Sequence, residues 1–330
     1  GRDRIWASAP AATLPPISDE VKRTNGPLSR KLKDGGFAVS VELLPPRGTG
    51  GLKGKLAFVE ALAASGLADA VDLTDGSRGI PLMPPGDFIG VIRSRLGWSG
   101  GDRLELIPHF TTRDLNVMGL QSRLVGYWAR NIHNVLFVTG DPPKMSPTYP
   151  RSTAVFDLDS VAMIRYAHAC LNAGVDFGGQ PLGPQADPRT RFTVGSGFEP
   201  EALDLARELD RLERKLEAGA DYVMTQPAFR PEPLEALDRF RGRAAFLVGV
   251  LVLTGLAHAQ RMAQVPGVIV PAAILDRLAR YPDPEDQAKE GRQLAVEQIH
   301  RVRQEGWAGL YLMSPASHQP VLEVLIGGLA

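Results

Sequence analysis

Two carboxylates stand where buried strands should end. Glu42 lies between Val41 and Leu43 in VSVELLPPR (Val39–Arg47), and Asp141 follows an apolar run in VLFVTGDPPK (Val135–Lys144). A carboxylate beside a buried strand costs free energy unless something compensates it. An apolar setting also raises a carboxylic pKa toward the range where proton transfer near neutral pH is efficient. A fixed carboxylate in a dry pocket has another use, the stabilisation of developing positive charge. Pro45-Pro46 and Pro142-Pro143 follow the two acids. Proline fixes its own φ and restricts its predecessor, so each doublet stiffens the backbone around an acid.

Other polar residues end apolar runs in the same way: Thr74 with Asp75, His109, Ser196, Gln226 and Ser314. Gathered at one mouth of a barrel, they would make a mixed pocket with an imidazole beside the two acids. Structural uses compete with this reading. Glu42 would also serve as an inward charge paired to a core arginine, Asp141 as a turn residue over Gly140–Pro143, and His109 as a rim histidine. Arg211, Arg214 and Lys215 read first as a solvated helix face, with anion binding as the alternative. His133, His168, His258, His300 and His318 lack metal-ligand spacing, so no metal is assigned. No serine has a GxSxG context, and Cys170, in the helical pattern MIRYAHACLNAG, reads as a small packing residue.

The elements that must position these groups follow a strand, loop, helix rhythm from Phe37 onward. Strands are expected at Phe37–Leu43, Ala68–Leu73, Leu104–His109, Asn134–Thr139, Phe192–Gly195, Tyr222–Gln226, Phe246–Leu251 and Gly309–Met313. They are short and often uninterruptedly apolar, as parallel strands buried on both faces must be. Helical patterns such as LKGKLAFVEALAASG and LDLARELDRLERKLEAG lie between them. In the second, Leu205, Leu209, Leu212 and Leu216 form one apolar stripe that stops at Gly219. Eight such units predict an α/β fold, a (β/α)8 TIM barrel, over 36–330. A doubly wound sheet is the alternative, but Gly195-Ser196-Gly197 has Pro200 in place of the third glycine of a dinucleotide fingerprint. GTGGLKGKL fails as a phosphate loop at Thr49 and Leu56. Residues 1–35, rich in Pro, Ser and charge, read as a leader or linker with a short helix at LSRKLKDG.

Composition narrows the function classes. The chain has 330 residues with 37 basic and 37 acidic side chains, so charge makes no case for a nucleic-acid or membrane surface. No apolar stretch approaches the ~18 residues of a spanning helix. One cysteine excludes an internal disulfide and fits a reducing, cytoplasmic setting. The start, GRDRIWASAP, has neither a signal-peptide core nor an initiator Met and is read as a trimmed chain or one part of a longer polypeptide.

Taken together, VSVELLPPRG, ADAVDLTDGSRG, HFTTRDLNVMGLQSRLVGYWARNIHNVLFVTGDPPK, LDRLERKLEAGADYVMTQPAF and GLYLMSP resemble the methylenetetrahydrofolate reductase family, in that family's order. The resemblance runs from about Leu32 to Leu325 and is closest to the reductase domain of bifunctional homocysteine methyltransferase/reductase proteins. It implies a flavoprotein oxidoreductase of one-carbon metabolism and methionine biosynthesis on a TIM barrel. Such an enzyme reduces 5,10-methylenetetrahydrofolate to 5-methyltetrahydrofolate with NADH or NADPH through FAD, the two substrates taking turns at the flavin. By motif match Glu42 would be the general acid that opens the methylene bridge to an iminium. Asp141 would stabilise that cation and tune the flavin, and Gln226 would hydrogen-bond the substrates. Thr74, His109, Thr139, Gly140 and Asp141 match FAD-contacting positions, and Arg211, Arg214 and Lys215 match the helix that holds its phosphates and adenosine. A homo-oligomer, or a fused or partner methyltransferase module, is the implied assembly.

The chain also departs from the pattern. Thr139 stands where many relatives have Arg, Val252 where many have Pro, and VGSGFEPE lacks the Tyr and His that some place against adenine. Two other functions stay open on the sequence: a flavin-independent or oxidatively working one-carbon folate enzyme, and a noncatalytic folate-binding partner subunit.

Overall fold

Eight apolar runs become eight parallel strands: β1 Ala38–Leu43, β2 Ala70–Leu73, β3 Glu105–Thr111, β4 Asn134–Val138, β5 Thr193–Phe198, β6 Tyr222–Pro227, β7 Ala245–Leu251 and β8 Gly309–Met313. They close in sequence order, β1 pairing with both β2 and β8, into the expected (β/α)8 barrel. The computed structural model describes residues 14–98, 103–265, 267–315 and 317–330. Residues 1–13 of the expected leader lie outside these. No helix among the described residues is long and apolar enough to cross a membrane.

Strand periodicity sorts the side chains into two environments. On β1, Val39, Val41 and Leu43 face outward and join one core cluster with Phe58, Val59 and Leu62 of helix Leu52–Ser65. Each such side chain contributes roughly 1.5–3 kcal/mol on burial. The alternate residues, Ser40 and Glu42, point inward, Ser40 in register with Ala70 and Glu42 with Asp72 on β2. This inner face is unusually polar for a barrel core, and the site grows out of it.

Boundaries shift where a glycine or a long-range partner intervenes. β5 runs three residues past its expected end at Gly195, because that glycine is a packing requirement. A Cβ there would lie 2.2 Å from Cζ of Tyr222, whose ring fills the barrel interior. Helix Leu205–Glu217 ends as the Leu stripe predicts, with Gly219 at φ 105° just beyond it.

The segment read as leader is partly a structural element of the barrel. A short helix, Asp19–Lys22, and a second, Pro27–Lys33, lie across the N-terminal mouth. Leu28 is fully buried there. Lys22 Nζ reaches both carboxylate oxygens of Asp221 at 2.8 Å. Burial alone would raise the pKa of Asp221, but Lys22, His168 and Lys33 outweigh it and hold the carboxyl below its ordinary value. Composition hid this docking because the partners are remote in sequence. Ser29 Oγ donates to Glu105 Oε1 at 2.6 Å and its backbone N–H to Oε2 at 2.7 Å, while Asn134 Nδ2 donates to Oε1 at 2.7 Å. Tyr222 O–H completes the network on Asn134 at 2.8 Å. Ser29→Ala is therefore expected to lower the unfolding free energy by about 1–3 kcal/mol, since it takes a donor from a buried carboxyl. Urea denaturation would measure this, and a change within ~0.5 kcal/mol, as at ordinary surface sites, would speak against a structural role for the plug.

Candidate active site

At the C-terminal mouth the strand ends surround a cavity of about 290 Å³. Glu42 of β1, His109 of β3 and Gln226 of β6 line it, together with Asp141, which follows β4. The two acids are thus brought to one mouth of the barrel. A larger cavity, about 460 Å³, opens at the opposite end beside Phe37, Phe246 and Trp307. There Arg241 stacks on Trp307 at 3.7 Å and is already bonded to Asp238 and to the carbonyls of Glu305 and Gly306. The chemistry-bearing groups converge only in the smaller space.

Glu42 projects inward with most of its surface screened, and burial pushes its pKa up. Tyr311 of β8 opposes this by donating its O–H to Glu42 Oε2. His109 and Arg78 add weaker lowering contributions, and Asp72 a raising one. Burial, with the neighbouring Glu42 carboxyl, also keeps the Tyr311 phenol well above its ordinary pKa, so it remains a donor. With Oε2 occupied, Oε1 is the atom left to exchange a proton with a ligand.

Asp141 is held from two sides. Its Oδ2 accepts from the backbone N–H of Arg78 at 2.8 Å, and its carbonyl from Arg113 Nη1 at 3.4 Å. Arg113, 7% exposed, also bonds the Gly76 carbonyl at 3.1 Å, so it staples the loops after β2 and β4 from beneath. Arg78 adopts a left-handed φ of 56°, strain that coincides with the N–H clasp on Asp141. Gly140 is required by its φ of 89° and by space, for a Cβ would lie 2.0 Å from Thr111 Oγ1.

Gln226 owes its direction to an irregularity. Met224 pairs with Leu247 and Pro227 with Gly249, so β6 carries one residue more than β7 over this stretch. The bulge turns Gln226 to the cavity, a common device beside binding sites. Gly249 makes room for it, since a Cβ would come within 2.4 Å of the Thr225 carbonyl. Its N–H donates to Thr225 Oγ1 at 2.8 Å.

Thr74, Thr139 and Gly140 form part of the wall. Thr74 Oγ1 is buried without a hydrogen-bond partner, whereas Thr139 Oγ1 accepts from Ser160 N–H at 3.2 Å. Arg211 and Lys215 line the far end with Glu199 and Glu208. Arg211 Nη1 lies 3.3 Å and Lys215 Nζ 3.7 Å from Glu208, and Lys215 also donates to the Gly197 carbonyl at 2.5 Å. Burial lowers the pKa of Lys215. Arg214 is not brought to the cavity. It lies about 100° round the helix from Lys215, opposite the Leu stripe, and is exposed in a pair with Asp210 at 3.1 Å. Ser196 turns away from the cavity and donates to the Phe137 carbonyl at 3.1 Å. Among the described residues no group of acids, histidines and cysteine is arranged to hold a metal.

Sequence reasoning passed over Asp72, Tyr311 and Arg113. Asp72 had a readable signal, an acid between Val71 and Leu73 like Glu42 between Val41 and Leu43. Tyr311 in GLYLM looks like any strand aromatic.

Residues 28–326 match the family model described as methylenetetrahydrofolate reductase. "Methylenetetrahydrofolate reductase 2" of Schizosaccharomyces pombe is 22% identical over 281 residues, which cover 82% of this chain and 42% of that protein. "5,10-methylenetetrahydrofolate reductase" of Pectobacterium carotovorum subsp. carotovorum is 24% identical over 82% of this chain and 83% of its own length. "Probable methylenetetrahydrofolate reductase (NADH)" of Oryza sativa subsp. japonica is 25% identical over 89% of this chain and 48% of its own. The match thus spans less than half of the fission-yeast and rice relatives and most of the bacterial one. A solved structure, "Uncharacterized protein from Clostridium thermocellum binds two copies of 5-methyl-5,6,7,8-tetrahydrofolic acid", shares the fold at a TM-score of 0.56 and 12% identity. That superposition covers 91% of this chain and 97% of the other.

Proposed function

The chain belongs to the methylenetetrahydrofolate reductase family, and from that premise we propose that it reduces 5,10-methylenetetrahydrofolate to 5-methyltetrahydrofolate with NADH or NADPH, using FAD. The observation that carries the proposal is the convergence of Glu42 on β1, Gln226 on β6 and Asp141 in the loop after β4 on one cavity. A noncatalytic folate-binding subunit would have no need of an acid with a raised pKa in that wall.

The residues present fit a flavin dinucleotide. Thr74 Oγ1 lies buried at the cavity wall with no partner in the protein, a donor and acceptor a ligand would satisfy. Gly140 keeps side-chain bulk out of the wall beside Asp141. At the far end Arg211 and Lys215, set among Glu208 and Glu199, are the two cations that would meet a diphosphate. Arg214, on the outer face, is left out of that set. When bound, FAD would supply hydride transfer between nicotinamide and folate.

The chain's own groups supply the rest. Glu42, protonated on Oε1, gives its proton to the bridge nitrogen of the folate, and the methylene carbon then remains on the other nitrogen as an iminium. Asp141, fixed by Arg78 and Arg113, puts negative charge beside that cation without rearranging. Gln226 offers an amide to whichever heterocycle occupies the mouth, so nicotinamide and folate would use the same place in turn.

A spectrum tests this reading directly. The purified protein, or protein mixed with FAD and desalted, is expected to show a bound flavin band near ~450 nm. Reduced nicotinamide should bleach the band and methylenetetrahydrofolate restore it. Protein that takes up no flavin yet turns over folate would favour the flavin-independent alternative. Protein that does neither would end the reductase reading.

A further inference from the structure

Asp72 is fully buried at the centre of the barrel, below the cavity floor. Both of its carboxylate oxygens are engaged. Ser40 of β1 donates its hydroxyl to Oδ2, and His109 Nε2 lies 3.2 Å from Oδ1. Among the described residues its ion-pair partner is His109, with no Lys or Arg in contact. A buried carboxylate without a basic partner is costly, and a charged imidazole is the group at hand to answer it. His109 is also the one of the two that reaches the cavity. Its Nε2 is taken by Asp72, so Nδ1 is the nitrogen left for a ligand.

We propose that Asp72 is a positioning residue of this site: it fixes His109 as an Nε2–H donor to its own carboxylate and so presents Nδ1 to a carbonyl oxygen or ring nitrogen of the bound heterocycle. The proposal rests on the reductase reading for its consequence, but the dyad belongs to the ligand-free protein. The surroundings agree with it. Burial alone lowers the pKa of His109, yet the bond and charge of Asp72, followed by the charges of Glu42 and Asp75, more than offset this and leave it raised. Those acids face the ring from β1, from β2 and from the loop after β2. From β8 comes the ring of Tyr311, with its centroid 6.2 Å away. Below the His109 midpoint Nδ1 carries a proton and donates. Above it Nδ1 becomes an acceptor while Nε2 keeps its hydrogen on Asp72. A cationic donor close to Glu42 would therefore be switched off as pH rises, and Asp72 decides at what pH.

Ring nitrogen-15 shifts in the ligand-free protein provide the test, with His109 identified among the six histidines by its loss in His109→Gln. The expected result is a midpoint above the ordinary ~6.5 and the Nε2–H tautomer at the alkaline end. Asp72→Asn should lower the midpoint by at least about one unit, tenfold in proton affinity, and mix the tautomers. Ser40→Ala, which keeps the charge, should shift it less. A wild-type midpoint at or below the ordinary value, or the Nδ1–H tautomer, would overturn the proposal, and this needs no variant to fold. So would identical titrations in wild type and Asp72→Asn. Absence of folate turnover in the wild type, with the titration as expected, would sink the reductase reading and leave the dyad standing.

Discussion

Glu42→Gln is expected to slow folate reduction by about 10²–10⁴, roughly 2.7–5.5 kcal/mol in activation free energy, while nicotinamide oxidation stays within a few-fold of wild type. The argument begins with the burial of the carboxyl among Val41, Leu43 and the barrel interior, which raises its pKa. A carboxylic acid with a raised pKa holds its proton to higher pH, so the folate step should be fast below that pKa and fall as pH rises through it. Glutamine keeps the size and can still accept from Tyr311, but it has no proton to give. Only the step that needs a proton should suffer. Stopped-flow measurement of the two half-reactions separates them. Equal losses in both would mean that Glu42 shapes the cavity and does not act as an acid in the folate step. A folate half-reaction whose alkaline limb survives in Glu42→Gln would assign that limb to another group, with His109 next in line.

The contrast between Glu42 and Arg214 shows how far the residues alone could be read. Glu42 was legible because a charge inside an apolar alternation is costly, so its presence signals a purpose whatever the tertiary context. Arg214 was read as one of three cations on a helix, and one-dimensional spacing does not say which arc of the helix meets the cavity. The Leu stripe at 205, 209, 212 and 216 contains that information, since it points the opposite arc, with Arg214, to solvent. The strands were legible for the same reason as Glu42: parallel strands covered on both faces must be apolar almost throughout. β5 was read short because Gly195 and Gly197 interrupt the apolar run, and the reason for Gly195 is the ring of Tyr222, 27 positions later. The bulge that directs Gln226 left only indirect marks, Pro227 and Gly249, which become meaningful once β6 and β7 are paired. The plug over the N-terminal mouth could not be seen at all from composition. Lys22, Asn25 and Ser29 look like ordinary solvated residues until Asp221, Thr193 and Glu105 are placed beneath them.

Asp141→Asn tests the other half of the proposed chemistry, and a loss of about 10²–10³ in the folate half-reaction is expected, roughly 2.7–4 kcal/mol by analogy with removal of one preorganised electrostatic group. Asparagine can still accept the Arg78 N–H through its side-chain oxygen, and the Arg113 bond goes to the backbone carbonyl, which the substitution leaves in place. Geometry should therefore persist while the negative charge disappears, so the variant isolates charge from position. Because the charge acts on a cation that forms from the substrate, the loss should be found in the single-turnover rate and should persist at saturating folate. A loss confined to folate affinity would instead indicate that Asp141 binds the pterin in its ground state. An unchanged single-turnover rate would remove it from the mechanism. The backbone supplies an independent argument for expecting a large effect. Arg78 holds a left-handed φ of 56°, unfavourable for a residue with a side chain, and its N–H is the group that fixes Asp141 Oδ2. A chain keeps such strain where the surrounding structure over-determines it, and here it fixes the direction of a carboxylate that solvent could otherwise turn freely.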